Sequence, residues 1–273
     1  MDDVKLVDFH VHSNASDGLF SPLEVVKIMA GAGLAAIGLT DHDTISGLPE
    51  AACAADQYGI ELLPGVEISA VEDNVDIHIL GYYPQKRDHL HEMLEDLQKE
   101  RFARMEVMVE KLKSYGFRIK PEEVTAEARD AAPGRMHLAR LMLKKKYVHS
   151  LNQAFSLYLQ RNKPAFVPRR TFTIKQAMGL LAEAEAIPVI AHPGYAGKQF
   201  IERLLVMGLK GIEVFHPDHS PSLIKHYQEV AKEHSLIITG GSDFHGDSNN
   251  KTNYYRRQAI PICYLQQMKK LIP

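Results

Sequence analysis

Fourteen of the 273 residues are histidine, and most residues able to do chemistry stand at one kind of place, the far end of a short apolar run. Val4–Phe9 runs into Asp8-Phe9-His10-Val11-His12. Ala35–Leu39 ends in Thr40-Asp41-His42-Asp43, and Ile60–Val66 leads to Gly65-Val66-Glu67. Val75–Leu80 carries His78, Ile187–Ala191 ends at Ala191-His192-Pro193, and Gly211–Phe215 carries Glu213 and leads to His216. Leu236–Thr239 is followed by Gly241-Ser242-Asp243-Phe244-His245-Gly246. His10 and His12 are two apart in an extended segment and so point to the same side, as do Asp243 and His245 if that segment stays extended. Neutral imidazoles mixed with carboxylates suit divalent transition ions such as manganese, zinc or iron. Buried singly, such groups are costly; gathered around cations, they are satisfied. Ten candidates (His10, His12, Asp17, Asp41, His42, Glu67, His78, His192, Asp243 and His245) exceed the ~4 ligands of one closed site, so two or three ions are expected. Ions ~3.5–4 Å apart recur in phosphate ester hydrolysis. His89, His91, His149, His226 and His234 lack such a setting and read as ordinary surface or core histidines.

For these groups to meet, the runs that carry them must lie side by side. Each run is strand-length and apolar on both faces, the pattern of buried parallel strands. Helical segments alternate with them. One starts at Ser21-Pro22-Leu23-Glu24, a capping box with proline at the first helical position, and stops near Gly33. Another starts at the box Thr173–Gln176 and runs to about Ala186. A third follows Ser220-Pro221 as far as about His234. The expectation is an α/β chain with a mainly parallel sheet of about seven strands, closed into a barrel, whose C-terminal strand ends converge on one face. The alternation breaks between Arg87 and Arg170, where His89–Tyr115, Arg135–Lys146 and Ser150–Arg161 all read as helix. This predicts a barrel made of residues 1–86 and 171–273, with a helical subdomain, 87–170, inserted in one connection.

Composition limits the alternatives. At 45% hydrophobic and 24% charged, with net charge −2, the chain reads as a globular protein and not as disordered, collagenous or coiled-coil. No apolar run approaches the ~20 residues of a membrane span, and the start, Met1-Asp2-Asp3, is acidic where a signal peptide is basic. Cys53 and Cys263 lack metal or redox spacing, which suggests reduced thiols in the cytoplasm. Charge is uneven: Arg129–Arg170 holds ten Lys or Arg against one acid, Asp130. A basic cap over an acidic barrel attracts an anion. There is no Walker loop, no evident nucleophilic serine or cysteine, and no DNA-binding motif, so sequence-specific DNA binding is not expected.

The run from His10-Val11-His12-Ser13 to Ser16-Asp17-Gly18, then Thr40-Asp41-His42-Asp43, Gly65-Val66-Glu67, Ala191-His192-Pro193 and Gly241–His245, resembles the ordered motifs of the PHP (polymerase and histidinol phosphatase) family. The resemblance covers about Val4–Tyr83 and Pro188–Gly246. It implies a distorted (β/α)7 barrel with up to three metal ions. One ion would take His10, His12, Glu67 and Asp243. A second would share Glu67 and add His78 and His192. A third would take Asp17, His42 and His245. Some family members have histidine where this chain has Asp17, a harder and anionic ligand that bears on the third ion's identity. Asp41 is expected to orient His42 or its neighbours. Gly134-Arg135-Met136-His137 resembles a motif of the branch that includes nucleoside 3′,5′-bisphosphate phosphatases and exonucleases acting on short RNA from the 5′ end, which implies that Arg135 and His137 bind substrate phosphate. His216 and His219 are further candidates for holding phosphate or protonating the leaving oxygen.

The expectation is therefore a metal-dependent phosphoesterase acting on a small nucleotide or short RNA, converting nucleoside 3′,5′-bisphosphate to the 5′-monophosphate by attack of a metal-bridging hydroxide. Histidinol phosphatase is the enzymatic rival, and a metal-bound but non-catalytic accessory module is the other.

Overall fold

Ser21, Thr173 and Ser220 each accept a hydrogen bond from the backbone of the third residue beyond them, and Ser21 and Thr173 complete reciprocal capping boxes with Glu24 and Gln176. They start the helices α1 (Pro22–Gly31), α7 (Ile174–Glu183) and α9 (Pro221–Glu233) where the sequence places them. A computed structural model of the chain describes residues 4–72, 75–128, 132–168, 172–194, 196–246 and 259–272. Met1–Asp3, and Arg129, Asp130, Arg169 and Arg170 of the basic stretch, lie outside the described residues.

The strands are β1 (Leu6–Val11), β2 (Ala36–Leu39), β3 (Glu61–Glu72), β4 (Val75–Tyr82), β5 (Phe172–Thr173), β6 (Ile187–Ile190), β7 (Gly211–Phe215), β8 (Ile237–Gly240) and β9 (Ile260–Pro261). Their order is β8-β7-β6-β4-β3-β2-β1-β9, with β5 beside β3. The path nearly closes on itself. Beyond β8, the Asp243 N–H donates to His10 O (3.0 Å), and the His12 N–H donates to Phe244 O (2.9 Å). Seven of the nine strands, β1–β4 and β6–β8, thus form a nearly closed, barrel-like sheet, with helices such as α2 (Leu48–Tyr58) and α8 (Lys198–Val206) in the connections. The sheet is mainly parallel, as expected, and departs from that in three places: β3 and β4 form an antiparallel hairpin, β4 pairs antiparallel with β6, and β9 pairs antiparallel with β1. The second half of β4, Ile79–Tyr82, is buried on both faces and has the apolar composition of a parallel strand, so composition alone misses its direction.

Two compact units divide the chain, Met1–Glu92 with Thr171–Pro273, and Met93–Arg170. The first has a core in which Val7, Phe9, Ala36, Leu63, Leu80, Tyr82, Val189 and Ile237 pack together. The second is built from α3 (Arg87–Lys113) beyond its first six residues, α4 (Pro121–Ala128), α5 (Arg135–Lys144) and α6 (Leu151–Ala154), which continues as a π-helical turn over Phe155–Leu159. Its own core gathers Met105, Met108, Leu112, Phe117, Leu138 and Met142. Among the described residues, no helix is long and apolar enough to cross a membrane. The last helix, α10 (Cys263–Lys269), follows β9.

Candidate metal centre

Strand alternation sorts β1. Val7 and Phe9 join the apolar core, while Asp8, His10 and His12 occupy the other face, all fully buried. Asp8 ties β1 to the segment after β8, its Oδ1 accepting the N–H groups of His10 (3.1 Å) and Ser242 (3.0 Å). Burial pushes Asp8 up to about 6.

The loop after β1 is held by a carboxylate from the next strand end. Asp41 accepts from the Ser13 N–H (2.7 Å), the Ser13 hydroxyl (2.7 Å) and the Ser16 hydroxyl (2.6 Å). This fixes the turn that carries Asp17. Gly18 closes it, since a Cβ there would lie 2.8 Å from His12 O. Asp43, at φ 51°, accepts from the Ser69 N–H (2.8 Å) and so binds the second strand end to β3. Both acids of Thr40–Asp43 are thus spent on backbone and hydroxyl contacts, and His42 alone of that run turns to the cluster.

Glu67, wholly buried, is the hub. Its Oε2 lies 3.2 Å from Nε2 of both His10 and His12 and 3.0 Å from His42 Nδ1. Its Oε1 lies 2.8 Å from His78 Nδ1 and 3.1 Å from His192 Nε2. Asp243 Oδ1 lies 3.0 Å from His12 Nε2 and 3.4 Å from His10 Nε2. His245 stacks on His12 with centroids 4.1 Å apart and reaches Asp17 Oδ1 at 3.1 Å. Two of these residues, His192 (φ 24°) and Asp243 (φ 51°), sit in the left-handed backbone region, a strain of about 1–3 kcal/mol that functional sites tolerate.

The donor atoms fall into four overlapping groups, each within 4.8 Å: His10, His12, Glu67 and Asp243; His12, Asp17, His42 and His245; His42, Glu67 and His78; and His10, His192 and Glu213. The first two contain the first and third ligand sets implied by the resemblance. The expected second set divides differently, with His78 and His192 meeting separate neighbours while both contact Glu67 Oε1. All nine expected ligands are gathered.

Electrostatics follow from this crowding. Burial opposes ionisation of Glu67, yet His42, His78 and His10 hold it well below the ordinary carboxylate range. Burial also opposes charge on His245, but Asp17 lifts it to about 10. His42, buried among imidazoles as well as acids, falls to about 3. The donor set fits divalent cations on a structural ground. His10 Nε2 and His12 Nε2 face each other at 3.0 Å, and His42 Nδ1 and His78 Nδ1 are buried without a well-formed hydrogen bond despite their approach to Glu67. Several Lewis bases aimed at shared points are satisfied by cations and by little else.

His216 and His219 lie beside this cluster. His216 Nδ1 accepts the Asp218 N–H (3.2 Å), which places its proton on Nε2, 3.7 Å from Asp243 Oδ2. His219 turns back, donating from Nδ1 to Val214 O (2.9 Å). Arg135 and His137 belong to the second unit. His137 Nδ1 accepts the Gly134 N–H (3.0 Å), capping α5, and the Arg135 guanidinium lies 5.8 Å from the Phe166 ring centre. Sequence reasoning left out Glu213 and passed over Asp8. Each is a lone acid inside an apolar strand, Leu-Val-Asp-Phe and Gly-Ile-Glu-Val, and that anomaly is the signal that finds them.

Comparisons with known proteins agree with this geometry. The PHP domain family model matches residues 8–238. A 3′,5′-nucleoside bisphosphate phosphatase of Chromobacterium violaceum is 31% identical, covering 94% of this chain and 93% of its own. A 5′-3′ exoribonuclease of Haemophilus influenzae is 34% identical over 88% of this chain and 90% of its own. The crystal structure of a candidate metal-dependent phosphoesterase from Bifidobacterium adolescentis superposes with a TM-score of 0.88 at 26% identity, covering 97% of this chain and 96% of that one. With the family motifs, the barrel and the ligand cluster all present, the chain belongs to the PHP domain family and is a phosphoesterase, a phosphoric ester hydrolase.

Proposed function

We propose that the protein hydrolyses a phosphate ester of a small nucleotide, with nucleoside 3′,5′-bisphosphate to 5′-monophosphate as the first choice and short 5′-phosphorylated RNA as the second. The observation that carries this reading is Glu67, whose two oxygens are shared among five histidines, so that ions held by the overlapping groups would be neighbours. The similarity to a bisphosphate phosphatase and an exoribonuclease supports the substrate class.

His10, His12, Glu67 and Asp243 would hold one ion. His78 and His192 would serve a second, with Glu67. Asp17, His42 and His245 would hold a third. Manganese, zinc or iron suits this mixed set. Bound divalent ions supply an activated water and cancel charge on the phosphoryl oxygens. The chain's own groups do the rest. Glu213 sets the His10 ring, Asp41 holds the loop bearing Asp17, and the His216 Nε2–H would donate to a phosphoryl or leaving oxygen. Arg135, a permanently charged fork, and His137 are assigned to the substrate's other phosphate. The unit that carries them holds 17 Lys or Arg against 9 Asp or Glu. The exposed free thiols of Cys53 and Cys263 fit a reducing compartment such as the cytoplasm.

The test is metal analysis of the purified protein together with a panel of nucleoside monophosphates, 3′,5′-bisphosphates, 5′-phosphorylated RNA trimers and histidinol phosphate. Preferential release of the 3′-phosphate from the bisphosphate is expected. Faster turnover of histidinol phosphate overturns the substrate assignment, and bound metal without turnover of any ester points to the accessory role.

A further inference from the structure

A cavity of about 510 Å³ opens directly against the metal centre, and none of the chemistry above uses it. Its inner end is formed by His78 and His192, both in contact with Glu67. Its walls are mostly apolar, with Ile77 and Ile190 among them. At the far side stand Phe200 and Arg203, one turn apart on α8 and so on the same helix face. The Arg203 guanidinium lies 5.6 Å from the Phe200 ring centre and is pinned by Glu72 at 3.0 Å.

We propose that this cavity seats the base of the nucleotide substrate, with Phe200 as the stacking platform and the fixed Arg203 guanidinium as a second planar surface. The inference deepens the proposed function and rests on it for the identity of the ester. Three observations carry it. The cavity shares two residues with the ligand cluster, so whatever is esterified to a phosphoryl group held there has this space beside it. Its volume lies within the usual range for small-ligand pockets, roughly 300–1,000 Å³. Among the described residues its lining is mostly apolar, with the Phe200 ring, one carboxylate from Asp76 and one cation, Arg203, already paired with Glu72, which suits a flat, uncharged, weakly hydrated ring better than a second phosphate. Aromatic side chains and arginine planes are the two surfaces on which bases stack without regard to sequence.

The experiment uses the full-length, metal-loaded protein and two probes that differ only in the base, adenosine 5′-monophosphate and ribose 5-phosphate, with dissociation constants from calorimetry. The unaltered protein is expected to prefer the nucleotide. Phe200→Ala should cut that preference by about five- to a hundredfold, the usual range for losing one base–aromatic stack, and Phe200→Trp should restore it. In parallel, KM for the nucleoside bisphosphate should rise by a similar factor in Phe200→Ala while kcat changes far less. If the nucleoside bisphosphate is hydrolysed but the preference is absent or survives Phe200→Ala, the cavity is not the base site and the proposed function stands. If adenosine 5′-monophosphate binds with a preference that Phe200→Ala removes, yet the nucleoside bisphosphate is not turned over, the base site stands and the proposed reaction falls. No preference and no turnover removes both.

Discussion

His10 presents Nδ1 to Glu213 Oε1 at 3.1 Å and Nε2 to Glu67 Oε2 at 3.2 Å. The first contact keeps the proton on Nδ1 and leaves the Nε2 lone pair facing the cluster, which is how a carboxylate prepares an imidazole to bind a metal. The other oxygen of Glu213 accepts the His192 N–H at 2.8 Å, so one buried side chain aligns two ligands from two strands. Glu213→Ala should lower metal affinity by about 10–100-fold. Glu213→Gln, which keeps an acceptor, should lose less. A chelator competition titration reads both, and equal, near-native affinity in the two variants would show that Glu213 orients nothing.

Asp243 belongs to the first donor group, contacting His10 and His12 through Oδ1, and approaches His216 through Oδ2. Asp243→Ala should abolish turnover and reduce bound metal, since it removes a charged donor from the first group. Metal counted by elemental analysis alongside initial rates decides the matter. Near-normal activity would mean that the cluster is not the reaction centre.

Gly241 lies against the back of the site. A Cβ at that position would sit 2.4 Å from His10 Cβ and 2.7 Å from His10 N. Gly241→Ala must therefore push β1 away from the segment after β8. The expected cost is about 1–3 kcal/mol of stability, typical of overpacking, together with weaker metal binding, because His10 moves with its backbone. Thermal melts with and without added manganese test this. A variant that melts and binds metal like the parent would place β1 and Gly241 further apart than described.

Much of this site is legible in the sequence because strand ends announce themselves. His10 with His12, His42, His192 and Asp243 each follow an apolar run, and parallel strands deliver such residues to one face. The direction of β4 is not legible, because the residue types of Val75-Asp76-Ile77-His78-Ile79-Leu80 carry no sign of strand direction, and only its hairpin pairing with β3 reveals it. Nor does spacing decide how ligands divide among ions. Glu67 is shared by five rings approaching from different strands, and that sharing is a property of barrel closure. The work of Asp41 is likewise hidden. It appears in the same motif as His42, yet its oxygens are occupied by Ser13 and Ser16, which lie 25 to 28 residues earlier in the chain.

Without metal, the cluster is expected to hold protons. Burial disfavours charge on His10, His12, His192 and His245, yet neighbouring carboxylates raise all four, His245 to about 10. A histidine raised in the folded state stabilises fully below its ordinary value near 6.5, and that contribution is lost as pH climbs through the folded value. Asp17, held low by His42 and His245 against the effect of burial, contributes above its ordinary value near 3.8 and loses this on acidification. The metal-free protein should therefore be most stable between about pH 4 and 6.5 as far as this pair is concerned, and should weaken toward pH 10. Ions require neutral imidazoles, so loading at pH 7 should release protons and tighten as pH rises. Calorimetry in buffers of different ionisation enthalpy counts those protons, and a count of zero would contradict the charged cluster.

Arg135 separates a substrate role from a structural one. Arg135, the first residue of α5, sets its guanidinium over the Phe166 ring, a contact worth about 0.5–1 kcal/mol at a surface. If Arg135 binds substrate phosphate, Arg135→Ala should leave metal content as it was and raise KM for the 3′,5′-bisphosphate well above its effect on a monophosphate. Arg135→Lys is the informative companion. It retains charge but loses the planar fork, so a phosphate-binding role predicts partial recovery, whereas a role confined to Phe166 predicts changes in melting temperature that track neither KM nor the number of phosphates on the substrate. Loss of metal in Arg135→Ala would instead place this residue's influence on the cluster itself and end its assignment to the substrate.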